Sequence, residues 1–251
     1  MKDKTFEDII YYENIFHDMK LPLTVVHTTI QLLDTMDLPG GVKDHLKAVE
    51  NSCYRIMKLI NDATDMARVE KGQLIPSLAN HDLVFLINTL TENTYLLADK
   101  KNISLTFSSN ALEKVMATDK AMLERILLNL LSNAIKFTET GGKIEVYLGD
   151  DRDFVEIIVR DTGIGIEADK IEEIFDRYIT SDRQRGHGLG LGIVKELTQA
   201  LNGEVFVIKT PAGTEFVVRL PAVQIKEPKR KFFVEDFYKE NIVQIELSEH
   251  Y

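Results

Sequence analysis

The sequence predicts an α+β chain in two parts: a helical hairpin that pairs with its own copy as a dimeric four-helix bundle, then an α/β sandwich with a mixed sheet. Three observations carry this. Apolar residues recur at alternating steps of three and four from residue 16 to residue 67, a heptad seam. "DLPGG" at 37–41 interrupts the seam once. After Pro76 the period changes, and strand-like runs alternate with helical ones.

The first seam reads Phe16, Met19, Leu23, Val26, Ile30, Leu33. The second reads Val42, Leu46, Val49, Cys53, Ile56, Ile60, Ala63, Ala67 and fades before Gly72 and Pro76. Two long helices with a short turn between them form an antiparallel pair. Leu21, Val25, Leu32, Met36, Leu59 and Met66 lie off the seams. A two-fold partner is the simplest way to cover them.

In the second part a helix is expected at about 82–100, with further helices near 119–137 and 189–201. Strands are expected at 103–107, 143–148, 154–160, 204–209 and 214–220, where β-branched and apolar residues cluster. The expected boundaries are 1–73 for the hairpin, 74–222 for the sandwich and 223–251 for a carboxy-terminal extension of unknown role. Within the extension, "KEPKRK" is basic and "NIVQIEL" alternates apolar and polar residues, as an added strand would. A disordered or partner-binding tail is the alternative reading.

A net charge of −10 argues against a dedicated nucleic-acid-binding role. The single cysteine, Cys53, excludes an internal disulfide framework and a cysteine-rich metal site, and suits a reducing cytoplasm. No apolar run approaches the ~20 residues that cross a bilayer, and the charged start "MKDKTFEDII" is no signal peptide.

Four stretches carry chemistry. "IFHDMKLPLT" puts His17, Asp18 and Pro22 within one helix. Asp18 offers a carboxylate to Nδ1 of a histidine whose Nε2 would then be the nucleophile. Pro22 removes the N–H that would pair with the Asp18 carbonyl, at a cost on the order of 3 kcal/mol against alanine, so a bend is expected there. His27 and His45 read as solvated helix histidines. On the helix near 119–137, Leu123, Leu127, Leu130, Ala134 and Phe137 share one arc, while Asn129, Asn133 and Lys136 share another about 60° wide. Amide oxygens can ligate a hard cation such as Mg²⁺, and an ammonium can meet phosphate; a solvated polar face is the bland alternative. "RDTGIGI" offers Asp161 to an exocyclic amine and Gly163 and Gly165 to a flat ligand. "GHGLGLGIVKEL", with Gly186, Gly188 and Gly190, is a glycine-rich loop opening a helix, able to cradle phosphates. It is neither a P-loop nor a Rossmann fingerprint. "RYITSDRQR" before it reads as a lid.

Taken together, these stretches resemble the catalytic core of bacterial two-component sensor histidine kinases, over roughly residues 5–221. "HDMKLPLT" looks like that family's phosphoacceptor box, "NLLSNAIKF" its N box, "DTGIG" its G1 box, "EEIFDRY" its F box and "GHGLGLGI" its G2 box. The resemblance implies a Bergerat-type ATP-binding domain, ATP and Mg²⁺ as cofactors, a homodimer, and a response-regulator receiver domain as partner. It makes His17 the phosphoacceptor, Asp18 its acid/base partner and Asn129 the Mg²⁺ ligand, with Asn133 beside it. Lys136 would contact phosphate and Asp161 the adenine amine. Gly163, Gly165, Gly186, Gly188 and Gly190 would shape the loops around ATP, and Thr214 would support the adenine pocket. A phosphotransfer scaffold with an inert nucleotide domain and a gyrase-type ATPase are the other readings; the histidine hairpin argues against the second.

The chain departs from the family pattern at Leu21, where Thr or Asn usually stands four residues after the histidine, and at Thr180, in the F-box slot of an arginine. Arg177, Arg183 or Arg185 could substitute for that arginine. Only 16 residues precede His17, too few for an input domain. The expectation is a cytoplasmic protein, either part of a longer, membrane-bound kinase or one fed by a separate sensor.

Overall fold

The structure, a computed structural model, describes residues 2–167, 170, 171, 173–176, 188–226 and 239–248, and for residues 2–17 and 239–241 the backbone alone. The chain forms two compact units that divide between Leu74 and Ile75, with Gln244–Ser248 returning to the first.

In the first unit, α1 (Lys2–Asp34) pairs with α2 (Gly40–Glu70). Helix α1 continues through Pro22. Gly40 and Gly41 open α2 rather than filling the turn, because Pro39 at the cap already fixes the chain's entry. At the other end Gly72 takes φ +62°, and the N–H groups of Gly72 and Gln73 donate to the carbonyls of Val69 and Arg68, closing the last turn. The seam is only half covered within the unit. Ile30, Cys53 and Ile60 are buried, whereas Met19, Val26, Val49 and Ile56 are 41–50% exposed. Met19, Pro22, Leu23, Ile56, Leu59 and Ile60 line an open apolar hollow. Of the residues off the seams, Leu21, Val25 and Leu32 are exposed, but Met66 is buried.

Helix α6 (Lys239–Glu246) stands where an alternating strand was expected. His27, expected in solvent, is 6% exposed because Tyr54 of α2 packs on it, their rings 5.0 Å apart. His45 is exposed, as expected.

The second unit contains β1 (Ala79–Asp82), α3 (Leu83–Lys100), β2 (Ser104–Ser109), β3 (Val115–Thr118), α4 (Lys120–Phe137), β4 (Lys143–Asp150), β5 (Phe154–Asp161), α5 (Gly190–Ala200), β6 (Glu204–Thr210) and β7 (Gly213–Pro221). The five-stranded sheet runs β2-β4-β5-β7-β6, parallel at β2/β4 and antiparallel elsewhere. A separate antiparallel pair, β1-β3, was not anticipated. Asp82 and Asp119 cap α3 and α4 by accepting from the N–H groups of Val84 and Met122. Leu123, Leu127, Leu130 and Ala134 of α4 are buried, as the wheel predicts. Leu128, Leu131 and Ile135 are buried too, so α4 is the core helix of this unit rather than a one-faced one. The opposite sheet face is polar. Arg160 pairs with Glu145 and Glu215, and Arg219 with Glu156 and Glu204.

Candidate active site

The second unit brings four separate stretches of sequence into one cradle. Asp161 is the last residue of β5 and lies opposite Thr214 of β7 in register. Its Oδ1 accepts from the Gly163 N–H at 2.8 Å. Burial pushes its carboxyl above the usual carboxylate range, while N–H groups of Gly163 and Thr214 pull the other way. A charge kept in so dry a place, on only two amide donors, suits a further donor such as an exocyclic amine.

The glycines are set by close backbone approach. A Cβ at Gly163 would stand 2.4 Å from the Phe137 carbonyl oxygen and 2.8 Å from Asp161 Oδ1. Gly165 and Gly188 take φ +73° and +68°. Gly213, which motif reading passed over, lies so close to the Asp161 carbonyl oxygen that a Cβ would stand 2.1 Å from it. The "PAG" turn before β7 was its only signal in the sequence.

At the other end stand α4 and the start of α5. Asn129 is 3% exposed, and its Nδ2 donates to the Arg125 carbonyl at 2.9 Å. That fixes the amide and turns Oδ1 toward α5, where a Cβ at Gly190 would meet it at 2.8 Å. An amide oxygen is a donor of the kind a hard cation accepts. Asn133 and Lys136 follow on the same helix, both half-buried. Phe175, from the F-box stretch, packs edge-on against Phe216 of β7 with centroids 6.3 Å apart.

Helix α1 carries His17, followed by an exposed Asp18. The side chain of His17, Gly186, Thr180, Arg177, Arg183 and Arg185 lie outside the described residues.

Two families match the chain. Residues 118–224 match "Histidine kinase-, DNA gyrase B-, and HSP90-like ATPase", and residues 13–72 match "His Kinase A (phospho-acceptor) domain". The chain is 32% identical over 229 residues to sensor histidine kinase RcsC of Escherichia coli (strain K12), which covers 88% of this chain and 24% of RcsC. It is 30% identical over 233 residues to sensor protein CiaH of Streptococcus pneumoniae, covering 88% of this chain and 51% of CiaH. Full-length ShkA, solved in complex with AMPPNP, superposes with a TM-score of 0.71 at 26% identity, over 95% of this chain and 53% of ShkA. The chain therefore spans about a quarter of RcsC and half of CiaH. Among the described residues, no helix is long and apolar enough to cross a membrane.

Proposed function

Starting from a chain that belongs to the two-component sensor histidine kinases and carries their phosphoacceptor and ATP-binding domains, we propose that it phosphorylates His17 from Mg²⁺-ATP and passes the phosphoryl group to an aspartate of a response regulator. The observation that carries this is the pairing, in one chain, of the His17 helix with a cradle in which Asn129 faces Gly190 and Asp161 keeps a buried carboxyl. In the proposed step the Nε2 lone pair of neutral His17 attacks the γ-phosphorus. The N–P bond forms, the P–O bond to ADP breaks, and ADP leaves with the electron pair. Asp18 accepts the hydrogen bond of Nδ1–H and takes up the charge that develops on the ring. Asp161 accepts from the adenine amine, and Lys136 with Asn133 lies along the phosphates. The Asn129 amide oxygen would hold Mg²⁺, which would supply neutralisation of phosphate charge. The resulting phosphoramidate is a good donor to a carboxylate, which fits a receiver domain. Incubation with γ-labelled ATP tests the reading: the expected label is acid-labile and base-stable, and an acid-stable label overturns it.

The half-covered seam supports a homodimer through the hairpin. Apolar surface left wet costs about 25 cal/mol per Å², and Met19, Val26, Val49 and Ile56 are too exposed for a lone pair of helices. Light scattering at micromolar concentration is expected to give twice the chain mass of 28.6 kDa.

Asp161 predicts a pH dependence with a definite sign. Its carboxyl is raised in the folded chain, so the fold itself gains from protonation and becomes no less stable through this group as pH falls. Adenine recognition needs the carboxylate. ATP affinity is therefore expected to fall on the acid side, beginning at a pH above the usual carboxylate range, while the fold persists. Asp161→Asn should weaken ATP binding by about tenfold or more and flatten that dependence. A wild-type affinity that stays flat into the ordinary carboxylate range overturns the assignment.

Leu21 stands one turn past His17 and is 57% exposed. An isobutyl group holds no water there, and loss of a positioning group commonly costs ~10²-fold. Slow dephosphorylation of the phospho-regulator is expected, with a gain in Leu21→Thr and little change in autophosphorylation. Decay of labelled regulator with ADP present measures both.

A further inference from the structure

Three residues of α2, Tyr54, Arg55 and Lys58, are engaged by the end of the chain. The Tyr54 hydroxyl donates to Gln244 Oε1. Lys58 Nζ donates to the Glu246 carbonyl at 2.7 Å and lies 3.5 Å from the Glu246 carboxylate. Arg55 Nε donates to the Ser248 carbonyl at 3.3 Å. Tyr54 also shares a 2.7 Å hydrogen bond with His27 Nε2, so one phenol joins α1, α2 and α6. Tyr54 is 2% and Lys58 8% exposed, and Glu246, Leu247 and Ser248 are 0–1% exposed.

The chemistry of the contact is specific. The last carbonyls of a helix carry partial negative charge, and Lys58 and Arg55 put two cations of α2 against the carbonyls that end α6 and follow it. Helix α6 spans eight residues. Isolated helices shorter than ~12–15 residues are marginal in water, so α6 owes its form to being seated.

We propose that the α2 surface made by Tyr54, Arg55 and Lys58 is a docking site for this chain's own carboxy-terminal segment, Gln244–Ser248, and that its seating straps the hairpin by fixing the Tyr54 hydroxyl that bonds His27 of α1. His27 is ten residues past His17, about 15 Å along α1 at 1.5 Å per residue. The strap thus grips the hairpin nearly three turns from the phosphoacceptor, and any slide of α1 past α2 at that level breaks the Tyr54 bridge. The strap requires no kinase activity.

Hydrogen exchange of the full chain without nucleotide tests it. In the wild type the amides of residues 243–247 are expected to exchange at least ~30-fold more slowly than an unstructured segment. Leu247→Asp, placed in the tail so that it cannot disrupt the hairpin's own core, should bring them to the unstructured rate. It should also speed exchange of residues 50–58 at least ~5-fold and leave residues 154–161 unchanged. Lys58→Glu should release the tail from the other side, and Lys58→Glu with Glu246→Lys should recover part of the protection. A wild-type tail that exchanges freely overturns the site. So does a tail still protected in Leu247→Asp. Unchanged exchange at 50–58 in that variant overturns the strap.

Discussion

His17→Gln is expected to abolish acid-labile labelling, a loss of at least ~10³-fold, with ATP affinity within about twofold of the wild type. Glutamine keeps a polar side chain on α1 but has no nitrogen lone pair, because the amide nitrogen is delocalised into its carbonyl. The nucleotide cradle lies wholly in the other unit, built from α4, the end of β5, the start of α5 and β7, so binding should survive. Labelling by γ-labelled ATP and nucleotide titration of the same preparation separate the two. Residual label at near wild-type level would make another histidine the acceptor. His27 is a poor candidate on geometry, being 6% exposed and bonded to Tyr54. His45, exposed at the start of α2, is the one to replace next.

What was legible in the sequence was whatever sequence-local periodicity or contiguous motifs encode. The heptad seams placed α1 and α2, and the five strands of the main sheet lie within a few residues of the apolar runs that announced them. The cradle was legible because each of its parts is a contiguous stretch with its own glycine or amide pattern, and the fold's work is to bring those stretches together. The failures share a cause: the deciding partner was distant in sequence. "NIVQIEL" alternates like a strand, yet it is helical where residues some 190 positions earlier engage it: Tyr54 bonds Gln244, Lys58 the Glu246 carbonyl, and Arg55 the Ser248 carbonyl just past it. His27 reads as a solvated helix histidine because it stands alone, without the carboxylate and proline that flank His17; Tyr54, 27 residues on, buries it. Strands β1 and β3 span four residues each, and the "ANHD" of β1 has almost no apolar signal. Its Asp82 is instead committed to capping α3.

Asn129→Asp is expected to eliminate Mg²⁺-ATP-dependent phosphorylation, by about 10²-fold or more, although it changes one NH₂ to an oxygen. Two effects act in the same direction. Nδ2 now donates to the Arg125 carbonyl at 2.9 Å in a site 3% exposed. A carboxylate cannot donate, so an acceptor would face an acceptor in a buried place, at about 1–3 kcal/mol. The new charge would also stand beside the start of α5 at Gly190, the proposed place of the triphosphate. The extra negative charge opposes the phosphates and alters the balance that the metal sets. The thermal midpoint separates these contributions, because a purely structural loss lowers it and leaves activity intact well below the transition. Asn129→Ala is the companion variant. It removes the donor without adding charge, so it should bind ATP better than Asn129→Asp while remaining deficient in phosphorylation. If the aspartate variant labels His17 at the wild-type rate in saturating Mg²⁺-ATP, the metal–phosphate role of this position is wrong. Asn129 would then be a packing residue that seats α5 against α4 through Gly190.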